Sequence, residues 1–465
     1  MKRSLRELSF SRIRRLLTRG TPTAWAVVLL ICGVASPHLA RAEDYVNVPM
    51  PPQLKVEQTL LEGPVFATFE GKTLYRWEAQ SPGKAGNPVC DSTHYRTTRA
   101  DALSGGEGGL VLPEADKRPS CEDIWPPAQA SADAQPIDSW TIVTRPDGSR
   151  QWAYEGYPLY TYGRDRSPGE VHGGTGRIPG YGYRRGRTGV EDRTPISPPP
   201  LVPPGITVVT TALGRLLTTD KQMSVYTFDR DRAGRSLCTD DCALLWSPII
   251  APVFAKVGRG WSLVDRGGGI KQWAFQGKPL YTFKPDRRRR GLSGEDIPGW
   301  HGTYLEKAPK YPPAVTVHDT SMGPVLADRH GKTLYVFACL EPAIDMLSCD
   351  HPADTQVYRL ALCGNGDGAT CLKTWPMVPA LPGDKTLNWV WSVIEIDPET
   401  GHYAAPGRRD ALRVWAYRGR PVYTFSGDKQ PGDDRGDGVA GGVGQSIMFT
   451  ALKLRHDLNQ SFGED

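Results

Sequence analysis

Apolar and polar residues alternate over short runs in this chain, and no long stretch carries the 3.6-residue period of an amphipathic helix. In Gln151-Trp-Ala-Tyr-Glu-Gly-Tyr-Pro-Leu-Tyr160, Trp152 and Tyr154 stand two apart, on one face of a strand. Gly156 suits a turn that needs a positive φ, and Pro158 restricts the exit from it. Leu159-Tyr160-Thr161-Tyr162 alternates again, with both tyrosines on the same side. The pattern predicts a hairpin faced with aromatic residues, a normal way to hold a small sheet together. The chain therefore reads as all-β, built mainly of antiparallel hairpins with short helical turns.

That hairpin text recurs as Gln272-Trp-Ala-Phe-Gln-Gly-Lys-Pro-Leu-Tyr281 and Val414-Trp-Ala-Tyr-Arg-Gly-Arg-Pro-Val-Tyr423, with Trp152, Trp273 and Trp415 in register. A looser half-unit precedes each copy. Gly63-Pro-Val-Phe-Ala and Gly71-Lys-Thr-Leu-Tyr75 closely match Gly323-Pro-Val-Leu-Ala and Gly331-Lys-Thr-Leu-Tyr335, and Gly214 to Tyr226 is a degenerate copy of the same length. A Cys-x-x-x-Trp element links the halves: Cys121 with Trp125, Cys242 with Trp246 and Cys371 with Trp375. Three modules follow, at 53–187, 205–308 and 314–456, with proline-rich spacers at 188–204 and 309–313. Three separate two-hairpin domains are the expected arrangement, with a six-unit propeller-like ring as the alternative.

With 465 residues, 13 Trp, 18 Tyr and 11 Phe, the chain can build several small cores. Residues 1–42 read as an export signal: a basic stretch, an apolar run from Ala24 to Ala35, and Ala40-Arg41-Ala42 before the cut. They hold eight Lys/Arg and one Glu, so their removal takes the formal charge from +5 to −2 and leaves no nucleic-acid footprint. No later run is apolar enough to cross a membrane. Arg14-Arg15 also suits twin-arginine export, although a general secretory signal is favoured. The expected location is periplasmic or secreted.

Cys32 leaves with the signal, and eight cysteines remain, an even set expected to be disulfide-bonded. Their clustering favours Cys90–Cys121, Cys238–Cys242 and two bridges among the last four, most simply Cys339–Cys349 and Cys363–Cys371. Histidines at finger spacing and Cys-x-x-Cys are absent, which argues against zinc and covalent haem.

Together these elements resemble the bacterial secreted-repeat-of-unknown-function family, often lipoproteins, described by a Tyr-x-aromatic-x-x-Asp motif. The motif stands at Tyr160 to Asp165, Tyr226 to Asp231, Tyr281 to Asp286 and Tyr423 to Asp428, and fails after Tyr75 and Tyr335. A lipid-attachment cysteine is missing, because Ile31 precedes Cys32 where a small residue is required. The resemblance implies export and the repeat architecture but no chemistry.

The recurrent Asp is read first as a turn residue capping backbone amides. The best cation candidate is Asp428, Asp433, Asp434 and Asp437, whose carboxylates and glycines suit calcium, the weak alternative to having no cofactor. Arg287 to Arg290 reads as a solvated loop. The chain has no Gly-x-Ser-x-Gly elbow or His-Glu-x-x-His, so an enzyme is disfavoured. The expectation is a non-enzymatic binding or scaffold protein with an envelope protein or glycan as partner. The alternative is a periplasmic redox, electron-transfer or metal-binding accessory.

Overall fold

The computed structural model describes residues 44–77, 90, 99–100, 110–111, 120–173, 193–287, 289–339, 368–439 and 447–455. The proposed signal at 1–42, Cys349, Cys363 and Arg288 lie outside the described residues, as does the Cys339 side chain. Nearly every element is an antiparallel strand, and the longest described helix is the seven-residue Gly368–Thr374. Among the described residues no sheet closes on itself.

Each repeated hairpin forms as its turn chemistry requires. Glu155 and Gly156 have φ of 50° and 83°, successive positive values that give the strand twist its matching two-residue turn. Gln276–Gly277 and Arg418–Gly419 repeat it. The strands Arg150–Tyr154 and Tyr157–Tyr160 then pair with Tyr154 opposite Tyr157.

In the first module this hairpin is the middle of a five-stranded sheet ordered Trp140–Thr144, Arg150–Tyr154, Tyr157–Tyr160, Tyr75–Trp77, Arg193–Pro195, whose last strand comes from the stretch expected to be spacer. The third repeats the order with Trp391–Ile396, Leu412–Tyr417, Arg420–Tyr423, Tyr335–Cys339 and Ile447–Ala451. The second divides the same succession into two sheets and adds Trp246–Pro248. At each centre the first-half tyrosine lies opposite its second-half counterpart: Tyr75 against Tyr160, Tyr226 against Tyr281, Tyr335 against Tyr423. Equivalent residues facing each other across an antiparallel pair mean that the half-units meet about a local two-fold axis.

Two clusters fill each module. Trp152, Trp273 and Trp415 anchor one, at 1%, 0% and 1% exposure. The paired tyrosines share the other with Trp125, Trp246 or Trp375. Trp246 stacks on Trp300 at 3.5 Å, and Trp375 on Phe449 at 3.6 Å. Cys-x-x-x-Trp proves to be one helical turn: the Trp125 N–H donates to the Cys121 carbonyl at 2.7 Å, and Trp375 to Cys371 at 2.6 Å. Disulfides join Cys90 to Cys121 and Cys238 to Cys242, and Cys371 is disulfide-bonded too.

Buried contacts join the modules. Leu61 of the first and Leu213 and Ala308 of the second pack on the cluster holding Trp391, Trp415 and Tyr417 of the third. Arg418 meets Glu62 at 3.1 Å, each side chain 2% exposed, and also donates to the Val171 carbonyl at 3.3 Å. Arg455 pairs with Asp296 at 2.7 Å. The proline-rich spacer is pinned rather than free: Val46 N–H donates to Pro199 O at 2.7 Å, Leu201 N–H to Asp44 O at 2.8 Å, and Arg215 pairs with Asp44.

Candidate functional site

The repeated motif assembles at the local two-fold axes. The aspartate after one tyrosine accepts a hydrogen bond from the tyrosine of the other half-unit. Tyr75 donates to Asp165 Oδ2 at 2.6 Å, Tyr226 to Asp286 at 2.6 Å and Tyr335 to Asp428 at 2.8 Å. In the second module the exchange is reciprocal, since Tyr281 donates to Asp231 at 2.7 Å. In the first and third modules no aspartate stands at the motif spacing after Tyr75 or Tyr335.

The second carboxylate oxygen closes the loop that follows. Asp165 Oδ1 accepts from His172 N–H at 2.9 Å, Asp428 from Arg435 N–H at 3.0 Å and Asp231 from Leu237 N–H at 2.7 Å, while Ser293 Oγ bonds Asp286. Eight residues after each second-half aspartate stands a glycine, Gly173, Gly294 or Gly436, whose N–H lies 3.2–3.4 Å from the tyrosine oxygen. A Cβ there would come within 2.6–2.8 Å of the ring of Trp125, Trp246 or Trp375, so the position tolerates no side chain. This Asp-x7-Gly spacing was readable in the sequence and went unused.

Burial dominates the electrostatics. It pushes the Asp165 carboxyl up to about 7, against the hydrogen bonds from Tyr75 and His172 that favour its charge. Asp231 and Asp428 are raised for the same reason, and burial raises Tyr75, Tyr281 and Tyr335. Burial also lowers His172 to about 4, so its imidazole is neutral at neutral pH. Such junctions bind the two halves of each module together.

The first and third modules enclose a cleft of about 220 Å³, with Arg164, Arg166 and His172 on one side and Asn388, Trp389, Ser392 and Tyr403 on the other. His172 meets Trp389 edge-on at 5.5 Å, and Arg418 lies over the same indole at 5.2 Å. Among the described residues, His172 Nδ1 and Trp389 Nε1 are buried without a hydrogen-bond partner. One grouping beside the cleft has metal-ligand composition: atoms of Asp165, Glu170 and His172 lie within 4.8 Å of one another. Two of its members also have structural work. Asp165 is engaged as above, and Glu170 Oε2 accepts the Arg166 and Ser167 N–H groups, as Asp433 does for Lys429 and Gln430 in the third module.

The calcium candidates are drawn to different protein donors. Asp428 faces Tyr335, Asp433 caps backbone N–H groups, Asp434 accepts from Ser321 at 2.6 Å, and Asp437 holds Lys453 at 2.6 Å. Asp165, Asp231 and Asp428 each cap a backbone N–H, and all four motif aspartates also accept from a tyrosine of the opposite half, a cross-link that the sequence does not reveal. Trp152, Trp273 and Trp415 are core residues, each with a buried indole N–H that has no partner among the described residues. Sequence reasoning missed the cleft, whose walls come from loops more than two hundred residues apart.

Three segments, residues 141–176, 207–249 and 408–443, match the family model described as a secreted repeat of unknown function. Each spans one Tyr-x-aromatic-x-x-Asp motif, ending at Asp165, Asp231 or Asp428. No curated protein and no solved structure matches the chain. The chain carries, in triplicate, the secreted repeat of that family.

Proposed function

We propose that the chain is an exported, non-enzymatic binding or scaffold protein of the cell envelope, and that the cleft between the first and third modules takes a glycan. The single observation behind this reading is that the repeated side chains are used up internally. The tryptophan trio lies in the cores and the motif aspartates hold tyrosines, so the repeat is a frame and binding falls to what differs between its copies. The cleft combines an aromatic ring with amide, hydroxyl and guanidinium groups, a lining suited to a sugar face and its hydroxyls. Titration of soluble envelope glycan fragments, read by tryptophan fluorescence, tests it. Asn388→Ala is expected to weaken the response about tenfold, as a lost buried hydrogen bond does. A response unchanged in that variant, or none from any fragment, refutes the cleft assignment.

A metal-binding accessory is the second reading, favoured by the Asp165, Glu170 and His172 grouping. Metal analysis of the purified protein separates the two. Stoichiometric divalent metal, lost in His172→Ala, supports the accessory role.

A further inference from the structure

The three linking tryptophans open three equivalent loops on one backbone frame. Ala130 N–H donates to Arg150 O at 2.8 Å, Ala251 N–H to Lys271 O at 2.8 Å and Ala380 N–H to Arg413 O at 2.9 Å. Seven and eight residues past the tryptophan, the first loop carries Ala132-Asp133 and the third Pro382-Gly383. The second carries Val253-Phe254, which are 88% and 93% exposed. Its siblings build the same frame without a large apolar side chain at these two positions, so Val253 and Phe254 are not needed to fold the loop. Ile250, Val257 and Ile270 are each about half exposed.

Within the loop itself the charges have one sign. Between Ser247 and Val264 the charged residues are Lys256 and Arg259, both exposed, and neither makes an ion pair or side-chain hydrogen bond among the described residues. Neighbouring Lys271 is held by Asp265 at 2.6 Å. An apolar tip flanked by unpaired cations fits an interface that is apolar below and anionic above.

We propose that the loop carrying Val253 and Phe254 docks the protein on an anionic lipid surface. Val253 and Phe254 enter the acyl boundary, while Lys256 and Arg259 meet the headgroups. This surface is separate from the cleft, and either assignment can fail without the other.

Co-sedimentation of the full chain with equimolar phosphatidylglycerol and phosphatidylcholine vesicles at low salt tests the proposal. The parent is expected to sediment with these vesicles, and at least about tenfold more weakly with phosphatidylcholine alone. Val253→Ser/Phe254→Ser and Lys256→Glu/Arg259→Glu are each expected to weaken binding at least about tenfold while melting like the parent, because the side chains lack packing neighbours. The proposal is overturned by a parent that ignores both vesicles, by equal binding to the two compositions, or by a serine variant that binds like the parent. It is equally overturned by a parent dimer that the serine variant dissociates, since the tip would then belong to a second copy.

Discussion

Tyr75→Phe removes one oxygen atom from the centre of the first module. The lost hydroxyl donates to Asp165 Oδ2 at 2.6 Å, and His172 N–H then remains the other donor to that carboxylate at 2.9 Å. Burial holds Asp165 up to about 7, above its ordinary 3.8, so the folded state binds this proton more tightly than the unfolded chain. The favourable contribution of the protonated carboxyl is present in full below about 4 and is lost as pH rises through about 7. At pH 5 the hydroxyl faces a neutral acid, and its removal costs about 1 kcal/mol. At pH 8 it faces a buried carboxylate, and the cost rises to about 2–3 kcal/mol. Denaturant unfolding of parent and variant at the two pH values measures the difference, and Asp165→Asn in the same background should abolish the pH dependence. An equal cost at pH 5 and pH 8 refutes the assignment of Asp165 as the titrating partner.

Trp152→Ala, Trp273→Ala and Trp415→Ala should each destabilise by about 3–5 kcal/mol in calorimetry, the range for emptied aromatic core sites; variants that melt like the parent contradict their burial. Gly436→Ala puts a methyl 2.8 Å from Trp375 and Tyr335, and should cost about 1–3 kcal/mol by thermal melting. Arg418→Met strands Glu62 in the interior and should cost about 3–5 kcal/mol, most of it recovered by adding Glu62→Leu; a double variant no better than the single one rules out the ion pair as the cause. Intact mass of the exported protein after alkylation without reduction should show no adduct, and any adduct exposes a free thiol among the eight cysteines expected to be paired.

The hairpins were legible because their physics is local. Trp152 and Tyr154 share a face by strand geometry, Gly156 sits where φ must be positive, and Cys-x-x-x-Trp has the spacing of one helical turn. The junctions were legible by half. An aspartate entering a glycine-rich loop announces a cap, and Asp165 does cap His172. Its second partner lies 90 residues away, as Tyr335 lies 93 residues from Asp428, and no local pattern encodes a contact of that range. The motif fails after Tyr75 and Tyr335, yet each of these tyrosines donates to the aspartate of the opposite half. The cleft needs two modules packed together by Glu62 and Arg418, which proline-rich spacers gave no reason to expect.

The reciprocal bonds of the second module carry a consequence for how such a chain can grow. A lone half-unit would uncover the tyrosine and tryptophan faces that its partner half buries. New copies are thus viable only when gained or lost in twos, and a deletion ending between Asp231 and Tyr281 should leave insoluble protein where one ending between modules leaves a shorter, folded chain.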